Sequence, residues 1–215
     1  MSASSGTVAL VAGAISYALG VCALLTPEEM SRPTPCAQWD LRTLLAHLAE
    51  SMTDLEAGLR TGQLGLDRSE PQETAPWDPV ETHRDRAAEL LCATYCSGTP
   101  GQFVAVGGLP VPADVVACTG AVEIAVHGWD VAAARGCYGP IPAALATRLL
   151  GLCPLLIAGR EGLFAVPVQV PAQASPGDKL VGSLGRLPEH PRPVQRWLLA
   201  SSISTSSFPD GAKGG

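Results

Sequence analysis

The sequence predicts an all-α protein, an up-down bundle of four or five helices joined by short connections. Three observations carry that expectation. Apolar residues recur at spacings of three and four over several long segments, the period of a helix buried on one side. Stretches rich in proline, glycine and polar residues separate those segments and punctuate helices. No P-loop, GxSxG or GxGxxG occurs in a setting that would point to an α/β fold. With 215 residues, 47% of them hydrophobic and 16% charged, the chain can bury the core of one ordinary domain plus a short appendage.

The first helix is expected from about Gly6 to Leu25. Val8, Val11, Ile15, Leu19, Cys22 and Leu25 make one ridge; Ala9, Ala12, Gly13, Ser16, Gly20 and Ala23 make a small-residue face suited to close packing. The run is uncharged from Val8 to Leu25, long enough to raise a membrane span or a signal peptide. The ridge, and the lack of Lys or Arg ahead of it, favour a bundle helix and no membrane partner. Thr26-Pro27-Glu28-Glu29 reads as a cap followed by a short turn. In SRPTPCAQWD, Pro33 and Pro35 hold the backbone extended.

Asp40 is placed to N-cap a second helix, Leu41 to about Thr61. Its stripe of Leu41, Leu44, Leu45, Leu48, Met52, Leu55 and Leu59 is strongly one-sided. His47 lies beside the stripe, with Glu50 and Ser51 one turn further on. Residues 62–80 read as a polar loop. A third helix from about Glu81 to Cys96 buries Ala87, Leu90, Leu91 and Ala93, leaves its ETHRDR start solvated with His83 at the surface, and holds Cys92 and Cys96 as small core residues. The β-prone runs around Gly107-Gly108 fit a small hairpin or an extended connection. Asp114 then stands where a cap is wanted.

The next helix, VVACTGAVEIAVHGWDVAAARG from Val115 to Gly136, is almost wholly apolar or small. Thr119, Glu123, His127 and Asp130 follow spacings of four, four and three, so they share one narrow stripe. An ionised Glu among apolar neighbours is costly unless compensated. Two readings compensate it: a divalent metal shared by Glu123 and His127, or a surface Glu–His contact of a few tenths of a kcal/mol. An ordinary solvated face would carry Lys or Arg, and none occurs before Arg135. Gly136 makes a natural stop. A fifth helix starts between Pro140 and Pro142 and runs to about Ile157. Residues 161–215 hold no long periodic segment. Short turns are expected at Leu180–Leu184 and Pro193–Ser201, and the low-complexity SSISTSSFPDGAKGG should be mobile.

The net charge of −6 and the absence of any Lys/Arg cluster exclude nucleic acid as an expected partner. Seven cysteines without a CxxC pair fit a reduced, cytoplasmic compartment better than a disulfide scaffold.

Three segments together resemble the actinobacterial metal-binding branch of the DinB/mycothiol-dependent maleylpyruvate isomerase superfamily: RPTPCAQWDLRTLLAHL at 32–48, EIAVHGWDVAAARG at 123–136 and VPVQVPAQASPGDKLVGSLGR at 166–186. The resemblance implies a DinB-like four-helix bundle over 1–160 and a largely irregular extension with a mobile tail over 161–215. It implies a divalent metal, by default zinc, held by His47, Glu123 and His127. Two imidazoles and a carboxylate bind zinc at roughly 2.0–2.2 Å, and three protein ligands leave a position open, as catalytic sites do. In thiol-dependent members that position takes a small thiol such as mycothiol, held as the nucleophilic thiolate. Asp130 and Glu50, each about one turn beyond a ligand, are candidates to orient the imidazoles. Trp39 and Trp129 read as packing anchors, and Arg42 either meets an acidic substrate or closes a surface ion pair.

The expected activity is therefore that of a metal-dependent, thiol-dependent transferase or isomerase acting on a small electrophile. The alternatives are a metal-assisted hydrolase or cyclase without thiol, and a non-catalytic metal-bound bundle that binds a ligand. The isomerase proper has a larger C-terminal domain than residues 161–215 provide, so its own reaction transfers poorly. Oligomeric state is not written in the sequence.

Overall fold

The computed structural model describes residues 3–36, 39–65, 79–96, 101–137, 139–157 and 165–188. The helices are α1 (Ala3–Cys22), α2 (Leu41–Thr61), α3 (Pro79–Cys96), α4 (Ala113–Ala134), α5 (Ala143–Ile157) and α6 (Pro176–Ser183). A small three-stranded sheet, β1 (Gln63–Leu64), β2 (Phe103–Val106) and β3 (Leu109–Pro112), closes one end. The fold is an all-α bundle with a C-terminal extension.

Helix α4 packs against α1 and α2, and α3 packs against the same two, so α1 faces α2 and α3 faces α4 across the bundle. The core between them is aliphatic: Val11, Ile15, Leu48, Met52, Leu90, Ile124 and Ala125 are all buried. Burial of that stripe is what holds α2, whose ends are set locally. Asp40 accepts hydrogen bonds from the Thr43 backbone N–H at 2.8 Å and the Thr43 hydroxyl at 2.7 Å. Gly62 ends the helix in the left-handed region at φ 76°.

Several expectations need correction. The small-residue face of α1 is not the packed one: Ala9, Ser16, Gly20 and Ala23 are exposed, while Leu10, Val11, Ala14, Ile15, Ala18 and Cys22 are buried. Close approach comes instead from α4, where a Cβ on Gly128 would stand 3.1 Å from Tyr17 Cε1 and 3.2 Å from Ala18 Cα. His83 is fully buried. It continues the inward row of Ala87, Leu90 and Thr94 one turn back, so the charged letters beside it conceal its position. Cys92 and Cys96 fall off that row and are exposed. Asp114 does not cap α4, which begins at Ala113 directly off β3, and lies in its first turn.

Of the two readings for the Gly107-Gly108 segment, the hairpin is the one that forms. Gly107 and Gly108 both have positive φ, 55° and 84°, the twist a two-residue turn between antiparallel strands needs. Helices α1 and α4 are long and apolar enough, by length and composition, to cross a membrane. Here they lie against one another.

Residues 165–188 are integral to the packing. Helix α6 packs on α5 and adds Leu180, Val181 and Leu184 to the main core. The expected turn at Leu180–Leu184 is thus the last part of a helix that starts earlier, at Pro176, behind the Ser175 cap. The second expected turn, Pro193–Ser201, and the tail lie outside the described residues.

Candidate metal centre

The site forms where α2 and α4 meet. Amphipathic periodicity turns the Leu44–Leu48 row of α2 into the core and leaves His47 beside it. On α4, Glu123 and His127 are one turn apart and face the same way. The structure brings these three residues together, with one donor atom from each within 4.8 Å of the others. His47 Nε2 lies 3.1 Å from Glu123 Oε1, and the two imidazole rings meet edge to face at 5.1 Å between centroids. The Glu123 side chain is 34% exposed and that of His47 16%, so the cluster is partly open to solvent.

Ser51 sits at the centre of this contact. Its hydroxyl donates to Glu123 Oε1 at 2.9 Å and lies 3.4 Å from His47 Nε2. Burial alone pushes the Glu123 carboxyl up. The His47 hydrogen bond, the charge of both imidazoles and the Ser51 hydroxyl outweigh it and pull it down to about 2. Asp54, one turn beyond Ser51, responds to the same charge: burial and then Glu123 push its carboxyl up, with His47 opposing. Glu50 makes no hydrogen bond or ion pair with His47 among the described residues.

A second network grips the other side of His127. Its Nδ1 lies 3.0 Å from Asp130 Oδ2, which is fully buried. The Cys36 thiol donates to the same oxygen at 3.2 Å and its Sγ lies 3.9 Å from His127 Nδ1. Arg186 Nη2 donates to Asp130 Oδ2 at 2.9 Å and to Cys36 Sγ at 3.3 Å, and Nε reaches Asp130 Oδ1 at 3.3 Å. Burial raises the Asp130 carboxyl, but the hydrogen bonds from His127 and Arg186 hold it below the usual range. Burial and then the Asp130 charge push the Cys36 thiol up to about 12, against the pull of Arg186.

Local backbone structure delivers each of these groups. The proline-rich segment folds back onto the start of α2: Leu41 N donates to Arg32 O and Thr34 N to Trp39 O. The Thr34 hydroxyl donates to the carbonyl of Trp39 and accepts from the Cys36 N–H. Trp39 therefore lies over the site, 4.8 Å from the His47 ring and 6.4 Å from His127. Trp129 packs against the main core, whereas Arg42 is exposed. Arg186 is aimed by the end of α6. Gly185, at φ 82°, lets its own N–H bond Gly182 O and the Arg186 N–H bond Val181 O, the double bond of a Schellman stop.

The sequence had suggested His47, Glu123, His127 and Asp130. It gave Glu50 where Ser51 makes the contact, and held Arg186 only as the last residue of the 166–186 segment. Cys36 and Trp39 were visible only as parts of the proline-rich segment.

The family model described as "Mycothiol maleylpyruvate isomerase N-terminal domain" matches residues 11–132. Two proteins of Mycobacterium tuberculosis described as uncharacterized, one from strain CDC 1551 / Oshkosh and one from strain ATCC 25618 / H37Rv, are each 27% identical over 166 residues. Those matches cover 74% of this chain and 86% of theirs. No solved structure matches the chain.

Proposed function

The chain belongs to the mycothiol maleylpyruvate isomerase N-terminal domain family, and from that premise we propose a metal-dependent enzyme using zinc and a small thiol such as mycothiol. It acts on a small electrophilic molecule in a reaction of the transferase or isomerase type. One observation carries the reading: His47, Glu123 and His127, from helices far apart in sequence, offer two imidazoles and a carboxylate to one point. That donor set suits zinc, and its partial exposure leaves room for a further ligand.

Bound there, zinc would supply Lewis acidity and lower the pKa of a coordinated thiol or water. The chain's own residues prepare the position. With Asp130 Oδ2 accepting a hydrogen bond from an Nδ1–H of His127, the ring would present the Nε2 lone pair to a metal. Ser51 fixes Glu123 Oε1, and Trp39 shields both imidazoles from bulk water on one side. Seven free thiols fit a reducing, cytoplasmic setting.

The test begins with metal analysis of purified protein. The native chain should carry about one zinc, and His47→Ala or Glu123→Gln should weaken binding by roughly 10-fold or more while helix content stays unchanged. Equal metal content in Glu123→Gln overturns the ligand assignment. Incubation with mycothiol and a panel of electrophiles then reads the reaction. Turnover that does not need a thiol would replace this reading with a hydrolase or cyclase.

A further inference from the structure

The site has a second side that the metal reading leaves unused. Cys36, His127 and Asp130 offer a thiol sulfur, an imidazole nitrogen and a carboxylate oxygen within 4.8 Å of one another. This set shares His127 with the first and takes it through Nδ1, 3.0 Å from Asp130 Oδ2 and 3.9 Å from Cys36 Sγ. We propose that Cys36, His127 and Asp130 form a second metal-ligand set, and that the Arg186 guanidinium, seated among them, closes it and so directs a metal to the His47–Glu123 side.

This inference stands on the metal reading of the first set, on the donor chemistry of the second and on where the guanidinium lies. The second set offers a soft sulfur, a borderline imidazole nitrogen and a hard carboxylate oxygen, a mixture that zinc and cobalt(II) accept once the sulfur is a thiolate. A cation already stands among them: Arg186 Nη2 bonds the Asp130 oxygen and the Cys36 sulfur simultaneously, at 2.9 and 3.3 Å. A metal bound by both atoms would need the space and the lone pairs that this nitrogen uses. Finally, a neutral imidazole has one lone pair, so His127 serves one side at a time. Holding the Nδ1 proton against Asp130 keeps the Nε2 lone pair free for His47 and Glu123.

Opening the second set exchanges one bound cation for another. The guanidinium leaves, a divalent metal enters, and the Cys36 thiol proton passes to solvent as the sulfur becomes a ligand. The His127 proton moves from Nδ1 to Nε2 through solvent, and the first set loses a member. Arg186 is thus a positioning residue. It acts on the metal's location through Asp130 and Cys36, and it comes from the extension rather than from the bundle.

Cobalt(II) is a suitable probe because a cobalt–thiolate bond gives a near-ultraviolet charge-transfer band that oxygen and nitrogen ligands do not. The native chain should bind cobalt without that band. Arg186→Gln should show the band, and Cys36→Ser in the same background should remove it. Arg186→Leu, which keeps more of the apolar packing, serves if the Gln variant does not fold by circular dichroism. Absence of the band in a folded Arg186 variant overturns the proposal. So does a band in the native chain that Cys36→Ser abolishes, because Arg186 would then not be closing the set. If the native chain takes up no cobalt but the folded Arg186 variants show the sulfur band, the first-set reading fails while the closed second set stands.

Discussion

Asp130 is the residue on which both halves of the site depend. It has no exposure, and it accepts from an imidazole, a thiol and a guanidinium at once. Asp130→Asn removes the charge that balances Arg186, whose side chain is only 15% exposed. Breaking such a pair typically destabilises by about 3–5 kcal/mol, and loss of the group orienting a metal-bound imidazole weakens affinity about 10–100-fold. Urea unfolding of the metal-free protein should read the first effect and metal titration the second; an unchanged midpoint would show that Arg186 finds other compensation. Helical spacing made Glu123, His127 and Asp130 legible in the sequence, because three- and four-residue steps fix a common face whatever the packing. Spacing could not choose between Glu50 and Ser51. Both lie about one turn beyond His47, and only the rotation of α2 against α4 decides that the short hydroxyl, not the long carboxylate, meets Glu123.

At the level of elements, the contact of α1 with α4 fixes how the bundle is wound around the site. Gly128 follows His127 directly, and its missing Cβ lets α4 lie against Tyr17 and the backbone of Ala18. Gly128→Val should therefore overpack the contact and lower stability by about 1–3 kcal/mol or more, since the Ala18 backbone has little room to yield. A Cβ on Gly120 would overlap Leu55 Cδ1 and stand 3.0 Å from its Cδ2 and 3.2 Å from its Cγ, but a leucine side chain can change rotamer where the Ala18 backbone cannot, so Gly120→Ala should perturb less. Thermal unfolding of the two variants compares them, and the reverse order would place the close contact elsewhere. The sequence read the ridge of α1 correctly at Val11, Ile15 and Cys22, but composition alone misassigned its small face. Small residues permit close packing without requiring it, and the partner helix decides which glycine is used. His83 shows the converse: the row His83, Ala87, Leu90 and Thr94 follows helical spacing, yet the charges around it drew attention to the solvent side.

For the molecule as a whole, two carboxylates tie segments distant in sequence. Asp130 joins α4 to the residue after α6, and Glu29 receives Arg135 from the end of α4 at 3.2 Å and lies 3.2 Å from Arg32. Burial raises both carboxyls, but hydrogen bonds and their arginines bring each below its usual value. A carboxyl depressed by folding contributes stability that is present above its unfolded value, about 4, and lost as pH falls through the lower folded value. Denaturant midpoints should thus hold near neutrality and fall below about pH 4, with Asp130→Asn showing a shallower decline. A midpoint independent of pH on the acid side would mean that neither pair contributes. The bundle itself was legible from the chain because its helices carry long periodic stripes. The docking of 165–188 was not, since a segment with one eight-residue helix gives too few periods to announce a core face.

The bond between Arg186 and Cys36 spans 150 positions of the polymer. During synthesis on a ribosome, every other member of the site emerges before this arginine does. Until it arrives, Asp130 has no guanidinium opposite it, and the core lacks Leu180, Val181 and Leu184. Docking of the extension closes a long loop, whose chain entropy opposes it until those contacts form. By the same geometry, a chain that stopped short of residue 186 would leave Cys36 and Asp130 without the guanidinium that occupies them.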